Sequence, residues 1–410
     1  MNNINADKKP LWTLPWSYKE SFLISIALLL GSVLFEETSH LKVEKISWPL
    51  NLYFLITLAL ISVVVYLKSR KSKFFKWFIS VEASVSAIVY FLVASLVMAL
   101  VPQNPDAQRL HYIFNITQSW VYFTAVAFLL IVLGAVCCYR LSGFTKKNIG
   151  FFLNHFGLWL IIATASLGAG DIQKYTMYLT TEKAVWYAYD ENEKEIPLDF
   201  AIKLNHFELE EYPAKIGVFD FRTGILFNHN AKQAIYEIDT NKTISFANIK
   251  FSKRYIENGF YFNNTVHSVN ERGASQSAFI EIRNQNKSLI DSSWVTTGSF
   301  IQESENIIIQ DTIVIALLKP EPKRFVSDIT IYTPDKEAKN FSIEVNKPQS
   351  FKKWKLYQTS YDESKGKWSD TSIIELVNDL WLPAVYTGIF FLVFGSVYLI
   401  WFGQGNKLKN

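Results

Sequence analysis

The sequence predicts an α-helical integral membrane protein of six transmembrane helices, with a large β-rich extracytoplasmic domain inserted between helices 5 and 6. Three observations predict it. Six apolar runs approach the length of a membrane crossing, lysines and arginines crowd alternate short loops, and the periodicity turns strand-like between the fifth run and the sixth.

A helix needs roughly 20 apolar residues to cross the hydrocarbon core, because an unpaired backbone amide there costs several kcal/mol. The runs are 21–35, 50–67, 77–101, 120–139, 149–169 and 381–402. The first is short and recruits Tyr18, with Lys19 snorkelling, to reach the interface. It is expected to stay attached, since Phe35-Glu36-Glu37 offers no small-x-small cleavage site.

Basic residues resist translocation. Lys68, Arg70, Lys71, Lys73 and Lys76 fill the second loop, Arg140, Lys146 and Lys147 the fourth, and Lys407 and Lys409 the tail. Those segments, with Lys8 and Lys9, are assigned to the cytoplasm. The first loop is mixed (Glu36, Glu37, Lys42, Glu44, Lys45) and the third sets Arg109 against Asp106, so both lie outside, and the insert with them. The expected division is a cytoplasmic amino terminus at 1–17, helices 1–5 at 18–171, the extracytoplasmic domain at 172–380, helix 6 at 381–402 and a cytoplasmic tail at 403–410.

Within the insert, residues 200–204, 278–282, 329–332 and 341–345 alternate apolar with polar side chains, as half-buried strands do. Glu257-Asn258-Gly259, Arg272-Gly273 and Thr333-Pro334-Asp335 supply turn signals. Antiparallel structure in a sandwich or a pair of sheets is expected. At the domain's far end Trp381 suits an interface, and Pro383 suits the first turn of a helix, where its missing N–H is not needed.

Composition narrows the function. With 50% hydrophobic and 16% aromatic residues the chain is too apolar for an ordinary soluble enzyme, and too polar to lie wholly in a bilayer. Its net charge of +4 sits in short loops rather than on one face, which argues against nucleic-acid binding. The two cysteines, Cys137 and Cys138, are adjacent and outside the insert. There is no C-x-x-C and no C-x-x-C-H, so the chain is neither a thiol oxidoreductase nor itself a c-type cytochrome, and any reductant comes from elsewhere. Walker A, G-x-G-x-x-G, G-x-S-x-G and paired-carboxylate motifs are absent, and no inverted repeat suggests a secondary transporter.

His155 is the most informative residue. It lies about two turns into the fifth run, among Phe151, Phe152, Phe156 and Trp159. An imidazole in hydrocarbon needs a partner. It is either an axial ligand for haem iron, with the aromatic neighbours packing a porphyrin, or a structural histidine bonded to a neighbouring helix. Glu82, near the start of the third run, reads as a snorkelling carboxylate or a complement to the helix N-terminus. His40 and His111 fall in outer loops, where they could approach a cofactor, while His206, His229 and His267 fall in the insert without metal-ligand spacing. All five read as ordinary surface or core histidines.

Three stretches resemble the ResB-like, or CcsB-type, cytochrome c biogenesis family. The first is Leu100-Val101-Pro102-Gln103 leading through Ser119-Trp120 to Asn154-His155-Phe156-Gly157-Leu158. The second is Ile196-Pro197-Leu198-Asp199-Phe200 followed by Phe207-Glu208 and Glu211-Tyr212-Pro213. The third runs from Trp354-Lys355-Leu356-Tyr357 through Asp379-Leu380-Trp381-Leu382-Pro383 into the last run; similar proteins have Asp-Pro-Trp there.

The resemblance implies a System II subunit of the bacterial cytoplasmic membrane. With a CcsA-type partner it would export haem and support its covalent attachment to apocytochrome c. His155 matches the family's ligand position, so haem b, transient or bound and shared with the partner, is the implied cofactor. The tryptophan-rich haem-handling segment of such partners is not recognisable in this chain, which therefore resembles half of a synthetase with no complete active site and no catalytic residue of its own. A membrane-anchored sensor or assembly scaffold that does not handle haem is the other reading.

Overall fold

In a computed structural model of the 410-residue chain, the described residues are 10–41, 43, 46–104, 110–142, 145–227, 234–238, 244–246, 249–283 and 288–402. His229, Lys8, Lys9, Lys42, Glu44, Lys45, Asp106, Arg109 and the tail with Lys407 and Lys409 lie outside them. The chain divides into two compact units, 1–172 with 379–410, and 173–378.

The first unit is helical: α1 (Tyr18–Ser39), α2 (Leu50–Ser69), α3 (Lys73–Trp77), α4 (Val81–Leu100), α5 (His111–Phe114), α6 (Trp120–Ser142), α7 (Ile149–Gly168) and α8 (Leu382–Phe402). Six of these, all but α3 and α5, are long and apolar enough to cross a membrane. The first is longer than its apolar run, because Ser17 and Glu20 close a capping box that starts the helix at Tyr18. The third begins at Val81 rather than at residue 77. Ser80, in extended conformation, accepts the Ala83 N–H and caps α4, leaving Trp77 to end the short α3.

α6 is the most buried span, with Ala125, Leu130 and Ala135 fully enclosed. Small residues let its neighbours approach. A Cβ on Gly134 would meet the Ser62 hydroxyl of α2 at 2.5 Å, and the Trp159 indole of α7 donates to the Leu130 carbonyl at 3.0 Å. On its other side, Tyr90 of α4 and Ser32 of α1 both bond Thr124 at 2.8 Å.

The second unit is built from antiparallel strands. In chain order they are β1 (Gln173–Thr180), β2 (Val185–Tyr189), β3 (Glu195–Glu211), β4 (Ile216–Asp220), β5 (Ile235–Tyr236) and β6 (Ile244–Phe246). β7 (Ile249–Phe262), β8 (Thr265–Ser268), β9 (Ser275–Arg283), β10 (Leu289–Thr296), β11 (Ile307–Ile309) and β12 (Ile313–Leu317) follow. The last are β13 (Pro322–Tyr332), β14 (Ala338–Glu344), β15 (Gln349–Phe351), β16 (Trp354–Tyr361) and β17 (Thr371–Asn378).

Among the described residues they form three sheets, where a sandwich or pair was expected. The largest runs β14-β13-β3-β2-β1-β17-β16-β15, a second β10-β9-β7-β6 with β8 also on β7, and a third β11-β12-β4-β5. Alternation places the core. Ile202 and Leu204 of β3 and Ile329 and Ile331 of β13 are fully buried on one face of the large sheet, and Ile280 and Ile282 of β9 share a second core with Ile216 and Ile315. Gly273, at φ +93°, takes the expected turn. Glu257-Asn258-Gly259 does not turn: it lies inside β7, where the pairing with β9 shifts register between Ile256 and Gly259. An extra residue in a ladder and a reversal of the chain use the same residue types.

Ion pairs at the surface of this unit make it acid-sensitive. Arg324 grips Glu344 from β13 to β14, with Nε to Oε1 at 2.8 Å, and with Lys347 it holds that carboxyl down to about 2. Lys365 and Arg272 hold Asp370 well below the usual carboxylate range. Because both folded-state values are depressed, their stabilisation is present above the ordinary carboxylate range and is lost as pH falls through about 4 toward 2. Thermal unfolding of the full chain is expected to show this loss, and Asp370→Asn should flatten it.

Candidate functional site

α7 carries His155, and its two sides meet α8 and α6. Along one face, Gly150 and Gly157 meet Gly395 and Gly388 of α8, where backbones touch; a Cβ on Gly157 would lie 2.5 Å from the Leu392 nitrogen. Asn154 strengthens this seam by donating to the Ser396 hydroxyl at 2.7 Å. Trp159 faces α6.

His155 lies one turn before Trp159 on the same side of α7 and is half-buried. Its Nδ1 is 2.9 Å from the carbonyl of Phe151, one turn earlier. A carbonyl only accepts, so Nδ1 bears the proton, and in the neutral ring Nε2 keeps its lone pair. The imidazole also stacks on the Phe151 ring, with centroids 3.7 Å apart and planes 17° from parallel. The Arg140 guanidinium of α6 lies 4.3 Å from the same centroid. Two groups that close cannot share one face, so Phe151 is sandwiched between the cation and His155. The result is a histidine with fixed tautomer, fixed ring plane and a free basic nitrogen, which is the donor chemistry that haem iron takes.

The other singled-out residues are not drawn to it. Glu82 stands in the first turn of α4, and His40 is exposed at the left-handed cap that ends α1. His111 begins α5, while His206 on β3 and His267 on β8 are exposed. Among the described residues, no three His, Cys, Asp or Glu side chains gather as a metal site.

One cluster has no counterpart in the sequence reading. Asp171, just past the end of α7, accepts the Trp48 backbone N–H at 2.7 Å, the Asn51 amide at 2.7 Å and the Trp381 indole at 2.6 Å. It binds the starts of α2 and α8 to the end of α7. Trp381 is thus a partner within the helical unit, its ring packed against Gly168, besides being suited to an interface. The strand unit has a cleft of about 460 Å3 lined by Glu211, Gln276, Gln302, Tyr361, Lys367 and Trp368 among others. Burial there pushes the Glu211 carboxyl up and the Lys367 ammonium down.

Six helices long and apolar enough to cross a membrane, five before and one after a large β-rich domain in chain order, suggest a multi-pass membrane protein. Residues 260–379, from the end of β7 through β17, match the model of the ResB-like family, and this match supports a ResB/CcsB-type protein. The chain matches none of the curated proteins.

Proposed function

We propose that this chain is a cytochrome c biogenesis subunit that works with a CcsA-type membrane partner to export haem and support its attachment to apocytochrome c. The ResB-like match supports the coarser role in biogenesis. The observation that carries the finer one is the bond from His155 Nδ1 to the Phe151 carbonyl, which leaves Nε2 available as an axial ligand. Bound there, haem b would supply the iron and the vinyl groups that become thioethers; this chain supplies the ligand, and no catalytic residue is assigned to it. In this reading the partner closes the half-open flank of α7, the strand unit lies outside the bacterial cytoplasmic membrane, and both termini are cytoplasmic. Sheet edges of the strand unit would take an extended apocytochrome segment by strand addition.

The test is to purify the chain with a CcsA-type partner and record its absorbance spectrum. His155→Ala should lose most of the haem, and added imidazole should restore it. Unchanged haem content would remove the ligand role and favour a scaffold that does not handle haem.

A further inference from the structure

The end of the helical unit that holds α3 and the start of α4 contains a cavity of about 640 Å3. Its charged lining is predominantly basic. Lys73, Lys76 and Arg140 contribute three cations against the single carboxylate of Glu82, while Trp16 and Trp77 supply aromatic wall. Among the described residues, none of these four charged groups takes part in an ion pair. Trp77 is buried and meets Trp16 edge to face at 5.2 Å, so the wall is fixed. Excess positive charge at the fringe of a low-dielectric region attracts an anion, and flat aromatic surface favours a flat apolar body attached to it.

The cavity shares one residue, Arg140, with the surroundings of His155. The guanidinium of Arg140 that lines it is the one sandwiching Phe151 against the imidazole. Two stacking steps, 3.7 Å and 4.3 Å, separate the imidazole from this cation, so a group held by His155 would have a positive charge near by for an acidic edge.

We propose that this cavity is a carboxylate site for a porphyrin, in which Lys73, Lys76 and Arg140 hold the acidic edge while the ring lies against aromatic wall. The proposal rests on the haem-handling reading, and it adds the part of the molecule that recognises the ligand by charge. A phospholipid headgroup offers similar anionic chemistry, and the experiment separates the two.

The probe is metal-free protoporphyrin IX, which has no iron and so cannot be ligated by His155. Its fluorescence is titrated against the full-length chain in nanodiscs of phosphatidylcholine alone. Wild type should bind it about tenfold or more tightly than its dimethyl ester, with affinity falling as salt rises. Lys73→Gln, Lys76→Gln and Arg140→Gln combined should erase that preference, Lys73→Arg with Lys76→Arg should keep it, and His155→Ala should leave it in place while removing haem. Equal binding of acid and ester by wild type, or an unaltered preference in the glutamine variant, would overturn the proposal. So would loss of the preference when phosphatidylglycerol is added to the discs, which would assign the cations to lipid. Unchanged haem in His155→Ala beside a glutamine variant that fails to bind protoporphyrin would sink the ligand role and leave this site standing.

Discussion

Asp171→Ala is expected to cost the helical unit about 3 kcal/mol of stability, the largest effect of any single polar substitution in it. The carboxylate accepts three hydrogen bonds, from the Trp48 backbone, the Asn51 amide and the Trp381 indole. Alanine removes one acceptor from each of the three; the fully buried Asn51 amide keeps only the Leu167 carbonyl at 3.1 Å, where water cannot easily replace the lost bond. Asp171→Asn should fall between, since its amide nitrogen would face a donor. Unfolding of the purified chain in a denaturing-detergent titration measures the loss. A Trp381 fluorescence change at lower denaturant than the global transition is expected as well, because α8 should detach first. Wild-type unfolding in the alanine variant would show that the cluster contributes nothing.

Gly157→Leu should be at least as damaging, for the opposite reason. A side chain there does not remove a contact but forces one, against the Leu392 nitrogen at 2.5 Å and the Gly388 carbonyl at 2.6 Å. Both are backbone atoms and cannot rotate aside, so α7 and α8 must separate, at a cost of about 3 kcal/mol or more. Separation also breaks the bond from Asn154 to Ser396 and disturbs the turn that carries His155. Gly31→Leu is the control. No atom lies within 4 Å of a Cβ at Gly31, and that variant should unfold like wild type. If the two leucine variants behave alike, the close approach of α7 and α8 has no energetic weight.

Much of this arrangement was legible in the sequence, because burial writes itself into periodicity. Residues 200–204 alternate, and Phe200, Ile202 and Leu204 fall on the buried face of β3; residues 278–282 do the same in β9. The helices were legible from their apolar runs, within a few residues at their ends. The ends failed where hydrophobicity and capping compete: Trp77 is apolar and buried, yet Ser80 starts α4. A third sheet was not foreseeable, since alternation marks a strand's faces and says nothing of its partners. His155 stood out as a polar residue in an apolar run. Its tautomer did not, because that depends on a rotamer placing Nδ1 over the Phe151 carbonyl. Asp171 resembled an ordinary boundary residue, its donors being 123 positions away at Trp48 and 210 at Trp381.

Both units close their own chain ends. Gln173 opposes Asn378 across the β1–β17 ladder, and two positions before the one and three after the other Asp171 holds Trp381. The strand unit is therefore inserted in the chain between α7 and α8, whose facing ends Asp171 and Trp381 already join without it. Excising residues 173–378 and bridging the gap with a few glycines should leave α7 and α8 paired. A lineage could acquire, exchange or shed such a segment without rebuilding the helices, and an engineer could graft another one in the same place.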